Sequence, residues 1–91
     1  LVQNYPNPFN PSTEIRYNVA RAETRTFVTL TVFDILGRRA RTLVAEQMQA
    51  GEFSVEWDGK NDNGMDVPSG VYLYRMVAGD FNASRRMTLT R

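Results

Sequence analysis

The chain contains neither cysteine nor histidine. Without cysteine there is no disulfide framework, no thiolate nucleophile and no zinc–thiolate site. Without histidine it lacks the commonest general base and the commonest metal ligand. Lysine is nearly absent too: Lys60 stands alone beside ten arginines, and the net charge is only +1. That balance offers no large basic field, which argues against a nucleic-acid partner. No apolar run approaches the ~20 residues of a membrane-spanning helix, and no signal-peptide pattern leads the chain. The first residue is Leu1, not Met, which reads as a segment of a longer protein whose targeting sequence lies upstream.

What remains is β-forming material. Ninety-one residues (10.4 kDa) make one small domain, which buries only ~60–65% of its unfolded surface and so needs a well-patterned core. Leu, Ile, Val and Phe contribute 22 residues, enough to build one. Val, Ile, Thr and the aromatics together number 29, residues that suit a pleated, half-buried surface. Helix formers never recur at helical spacing over a useful length. The fold class is all-β.

Prolines at positions 6, 8 and 11 make residues 1–12 a stiff, extended lead-in without a regular ladder. Tyr5 and Phe9 are expected to pack on the domain that follows, residues 13–91. Ile15, Tyr17 and Val19 then alternate with Glu14, Arg16 and Asn18, as a half-exposed strand requires. Arg21 to Thr26 reads as a turn. Val28, Leu30 and Val32 share one face of a second strand, which puts Phe33 on the exposed face. Asp34 to Gly37 has hairpin-turn chemistry, with Asp34 bonding local amides and Gly37 supplying positive φ. Arg38 to Val44 returns as a strand, and Ala45 to Gly51 is the one stretch expected to coil. Phe53, Val55 and Trp57 face one way in the next strand. Asp58 to Gly70 is a long turn region. Val71 to Ala78 is apolar on both faces, which suits a central strand, and Phe81 to Thr90 closes the chain with Met87 and Leu89 inward. Six strands and a short edge strand in the lead-in, spaced at ~8–12 residues, predict a β-sandwich of about seven antiparallel strands.

Three constellations bear on chemistry. The loop from Asp58 to Asp66 offers the carboxylates Asp58, Asp62 and Asp66 to a calcium ion, but its spacing fails the helix-loop-helix pattern and suits ordinary turns. Glu52, Glu56 and Asp58 invite glycoside hydrolysis, yet a cleft able to perturb their pKa values is hard to build in so small a domain. Tyr17, Trp57, Tyr72, Tyr74 and Phe81 invite a sugar-binding platform, although their strand parities turn most of them into the core. No enzyme activity and no cofactor are expected.

The opening Tyr5-Pro6-Asn7-Pro8-Phe9-Asn10-Pro11-Ser12-Thr13 resembles the start of the type A C-terminal sorting domain of the type IX secretion system. The likeness continues through Gly37, through Val55-Glu56-Trp57-Asp58-Gly59, and through Ser69-Gly70-Val71-Tyr72-Leu73-Tyr74. It ends on Arg86-Met87-Thr88-Leu89. The Ig-like domain of flagellar hook-capping proteins shares the Trp-Asp-Gly and Ser-Gly-Val-Tyr blocks and looks like a close relative.

That resemblance implies an immunoglobulin-like sandwich that directs an upstream secreted enzyme or adhesin through the periplasm and across the outer membrane to the cell surface. The implied partners are an outer-membrane translocon and a sortase-like peptidase. The signal strand would be Ser84, Arg85, Arg86, Met87, Thr88, Leu89, Thr90 and Arg91, where the family often carries lysine. An edge strand there would suit reading by strand addition, with the prolines holding the cargo at a distance. The alternative is a carbohydrate-binding or adhesive module of a polysaccharide-degrading enzyme.

Overall fold

The computed structural model describes residues 1–21 and 25–91. Its elements are β1 (Thr13–Val19), β2 (Thr26–Asp34), β3 (Arg39–Met48), β4 (Gly51–Trp57), β5 (Gly70–Ala78) and β6 (Phe81–Leu89). All pairings between these strands are antiparallel. β1 and β4 form a two-stranded sheet, and the other four form a sheet in the order β3-β2-β5-β6. The turn expected at Arg21 to Thr26 lies partly outside the described residues.

The period-2 patterns decide which faces meet. Ile15, Tyr17 and Val19 on β1 turn inward against Val28, Leu30 and Val32 on β2 and Tyr72, Tyr74 and Met76 on β5, all buried. Trp57 closes one end of this core. Its ring is fully buried, with Phe9 tilted against it at 5.6 Å and Tyr72 edge-on at 5.3 Å. Its indole N–H donates to the Lys60 carbonyl (2.9 Å), so the polar handle of the largest side chain is satisfied.

Six strands form among the described residues where seven were expected. The seventh place belongs to the lead-in, which makes isolated bridges between Tyr5 and Glu14 and between Phe9 and Leu89. Proline has no N–H to give a ladder, so pairing cannot run past one residue at a time.

The coil expected over Ala45 to Gly51 is mostly strand. β3 runs to Met48 because Ala45, Glu46, Gln47 and Met48 pair with Thr29, Val28, Phe27 and Thr26 of β2, and such pairing overrides helix propensity. Two register shifts, between Leu30 and Thr31 and between Val32 and Phe33, mark bulges in this pair. Gln49 and Ala50 then carry the chain from the larger sheet to the smaller.

Candidate functional site

The lead-in is a strap across two sheet edges. Against β1, the Val2 amide donates to the Arg16 carbonyl, and Tyr5 and Glu14 exchange both backbone hydrogen bonds. Against β6, the Phe9 amide donates to the Thr88 carbonyl and the Thr90 amide to the Phe9 carbonyl. Side chains extend the seam: Asn7 Oδ1 accepts from the Thr88 amide, and Gln3 Nε2 donates to the Arg86 carbonyl.

Beneath the strap lies a small buried polar network. Asn4 Nδ2 donates to Thr13 Oγ1 (3.0 Å), and both residues donate to the Pro6 carbonyl. The Tyr74 hydroxyl accepts from the Asn4 amide and donates to the Val2 carbonyl, each at 2.8 Å. Burial raises the Tyr74 pKa above its ordinary value, so the hydroxyl stays a donor at all physiological pH. Nothing local in Leu1 to Asn4 signalled this role, because the Tyr74 hydroxyl that anchors the network lies some seventy residues along the chain.

Two expectations for the lead-in change accordingly. Phe9 packs in the core, but Tyr5 points outward and is 81% exposed. Its backbone, not its ring, does the pairing. The stand-off expected of Pro6, Pro8 and Pro11 does not form either, since Val2 to Phe9 is bonded along the sandwich.

The strap also covers part of the strand expected to be read. On β6 the outward carbonyls of Arg86 and Thr88 and the Thr88 amide are occupied. Strand addition therefore has only the N-terminal half of that edge, where no backbone bond from the described residues reaches Asn82 or Ser84 from outside. Met87 and Leu89 are buried in the core, while Ser84, Arg85, Arg86 and Thr90 are exposed. Arg85 Nε donates to the Leu1 carbonyl.

Arg91 is engaged internally. Its guanidinium donates to the carbonyls of Val67 and Gly59 and lies 3.7 Å from Asp66, while its amide donates to Ser69 Oγ. It clasps the loop between β4 and β5. Gly59 makes room for this clasp: at φ +75°, an added Cβ would stand 2.8 Å from Arg91 Nη2 and 3.1 Å from the Pro11 carbonyl.

The rest of that loop is built for turning. Asn61 Oδ1 accepts from the amides of Asn63 and Met65. Asp58 accepts from the Lys60 amide and Arg41, Asp62 from the Thr42 amide, and Asp66 from Lys60. The Lys60 hydrogen bond and charge, with Arg91 beyond, hold the Asp66 carboxyl below the usual range. The three carboxylates thus serve three separate cations or amides. Among the described residues no group of three or more acidic, histidine or cysteine side chains converges as a metal site would.

At the neighbouring turn between β2 and β3, Asp34 Oδ1 accepts from the amides of Leu36 and Arg38 and its other oxygen pairs with Arg38 at 2.8 Å. The Arg38 amide bond is the main reason its carboxyl is held low. Gly37 sits at φ +83° in the turn expected for it. Of the family-motif residues, Tyr72 is buried and donates to the Pro68 carbonyl (2.6 Å), next to Gly70 at the start of β5.

The aromatic residues make no platform. Tyr17, Trp57, Tyr72 and Tyr74 are in the core, and Phe33 is half-buried despite its outward parity. The large exposed rings are Tyr5, Phe27 and Phe81, on three different segments. Glu14 and Glu56 face each other as exposed neighbours on β1 and β4.

Comparison with known proteins places the domain. Over 53 residues it is 40% identical to the basal-body rod modification protein FlgD of Salmonella typhimurium and, equally, of Salmonella typhi. That match covers 58% of this chain and 23% of the relative, so the chain spans about a quarter of the curated proteins it matches.

Among solved structures it is similar to dimeric latent PorU from Porphyromonas gingivalis, with TM-score 0.78, 21% identity, and 97% of this chain aligned to 9% of that one. It is also similar to PorZ of the same organism, an essential surface component of the type IX secretion system, with TM-score 0.66, 21% identity and coverage of 98% and 11%. FlgD from P. aeruginosa aligns with TM-score 0.62, 22% identity and coverage of 85% and 57%. At these identities the structural likeness speaks for the fold. Residues 7–80 match the FlgD Ig-like domain family, and the chain belongs to that family.

Proposed function

We propose that this Ig-like domain is a non-catalytic type A sorting module, which directs an attached enzyme or adhesin through the type IX secretion system to the cell surface. The observation that carries this reading is the likeness in fold to PorU over 97% of this chain. The motif series from Tyr5 to Leu89 supports it independently. The proposed route runs through the periplasm, with an outer-membrane translocon and a sortase-like peptidase as partners. What a receptor can read on the folded domain is the exposed part of β6, Ser84 to Arg86, beside the uncovered edge at Asn82.

Truncating residues 86–91 is a poor test, because it deletes the buried Met87 and Leu89 and unfolds the sandwich. A reporter exported to the periplasm and fused to this domain in a type IX-competent bacterium is the better one. Surface display is expected, and Ser84→Asp with Arg86→Glu should reduce it while leaving the melting temperature unchanged. Retention of the unmodified fusion in the periplasm would sink the reading.

The match to flagellar FlgD favours a second reading, an assembly module of a larger extracellular structure. In that case the fusion stays periplasmic, and the domain is recovered with assembling subunits.

A further inference from the structure

The two outer faces of the sandwich differ in charge. On the small sheet the outward side chains include Glu14, Glu52 and Glu56 against a single Arg16. On the large sheet the outward positions of β3, β2, β5 and β6 include Arg39, Arg75 and Arg86 and, among the described residues, not one carboxylate. This face is also the more apolar. Phe33 pairs with Leu73 in adjacent strands, Leu73 and Val71 are 37% and 36% exposed, and Ile35 and Leu36 project from the neighbouring hairpin at 71% and 72%. An open groove of about 560 Å³ runs on from the patch, between Leu36 and Pro68.

One cross-strand row gives the patch a metric. Arg39, Phe33, Leu73 and Arg86 lie side by side on the four neighbouring strands. Three strand spacings separate the two arginines, about 14 Å at about 4.8 Å each. Four residues of extended chain cover the same distance at about 3.4 Å per residue. A strand's residues i, i+2 and i+4 all face one way.

We infer that the outer face of the large sheet docks an extended acidic segment of a partner protein. Its pattern is acid-x-apolar-x-acid, laid across the strands with its carboxylates on Arg39 and Arg86 and its apolar side chain on Phe33 and Leu73. Both arginine side chains are available for this. The Arg39 side chain is 66% exposed, with its nearest carboxylate, Asp62, only at 3.8 Å, and Arg86 has no side-chain partner among the described residues. Arginine holds a carboxylate bidentately, with more directionality than lysine.

Other occupants fit less well. The glutamate face of a second copy would press carboxylates onto Phe33 and Leu73. A phosphate backbone would leave the apolar pair uncovered. The inference stands apart from the sorting reading, since it rests only on the charge, exposure and register of this face.

The test uses a fluorescein-labelled peptide with Glu-Thr-Phe-Thr-Glu between Gly-Ser flanks, titrated into the isotope-labelled domain. Amide shifts should cluster at Arg39, Phe33, Leu73 and Arg86. The double variant Arg39→Glu/Arg86→Glu should weaken binding at least fivefold with an unchanged fold. The matching peptide with lysine in place of both glutamates should then bind that variant better than it binds the parent. Shortening the acid spacing by two residues should weaken binding to the parent. No binding at millimolar peptide, or shifts centred on the Glu14–Glu56 face, would overturn the inference. So would self-association that saturates the same residues, or capture by anionic vesicles undiminished in the double variant.

Discussion

Replacing Phe9 by alanine tests whether the proline-rich lead-in is part of the fold or a tether. The ring is 1% exposed and tilted against Trp57 at 5.6 Å. Truncating a buried phenylalanine costs about 3–5 kcal/mol, combining lost burial with the cavity left behind, and about 0.5–1.5 kcal/mol of that reflects the aromatic pair itself. A domain of this size has about 5–14 kcal/mol in all, so the variant should lose about a fifth or more of its stability. The expected fall in melting temperature is about 15–25 °C.

Urea unfolding followed by far-UV circular dichroism gives the number without depending on Trp57, whose emission changes when its neighbour is removed. Tyr5→Ala is the internal control: its ring is outside, so the change should stay within about 0.5 kcal/mol. A loss below about 1 kcal/mol for Phe9→Ala, or equal losses for the two variants, would refute the strap.

Tyr74→Phe removes the hydroxyl that serves both Asn4 and Val2. Leaving the buried Asn4 amide unpaired should cost about 1–3 kcal/mol, and faster hydrogen exchange at Asn4 should accompany it. Gly59→Ala combines a left-handed backbone penalty of about 1–2 kcal/mol with displacement of Arg91. In an Arg91→Ala background the backbone part and the close approach to the Pro11 carbonyl should remain while the Arg91 part is gone, so urea melts of the double-mutant cycle should show coupling. Asp34 is held below its usual pKa in the folded state, so its contribution is present above the unfolded value and is lost as pH falls through the folded one. Asp34→Asn keeps the Oδ1 acceptor but not the charge, and its melting temperature should fall less steeply below about pH 4 than the parent's.

Where one strand face is buried, the sequence displays it. Ile15, Tyr17 and Val19 alternate cleanly with Glu14, Arg16 and Asn18 because water lies on one side only, whereas on β5 the outward Val71 and Leu73 blur the same pattern. The Asp34–Gly37 turn was legible for a local reason as well, since acceptor and donors lie within four residues. Ala45 to Met48 misled because their intrinsic preference is helical, and the neighbouring β2 decides otherwise. Phe33 was read from parity alone, which takes no account of what its neighbours cover. The strap and the Arg91 clasp left no local trace. Prolines advertise the lack of a ladder, and nothing near Gln3 or Asn7 announces a partner on β6.

The seam between strap and last strand joins residues 79 to 84 positions apart. Loop-closure entropy makes such contacts late to form. Within this domain the strap is synthesised before β6, so while the chain grows the strap has only the β1 edge to bind. Until β6 has docked, the half of the strap around Asn7 and Phe9 has no edge to bind. Completion of the domain is therefore registered at its beginning: Phe9 gains its place beside Trp57 only when the final strand is in position.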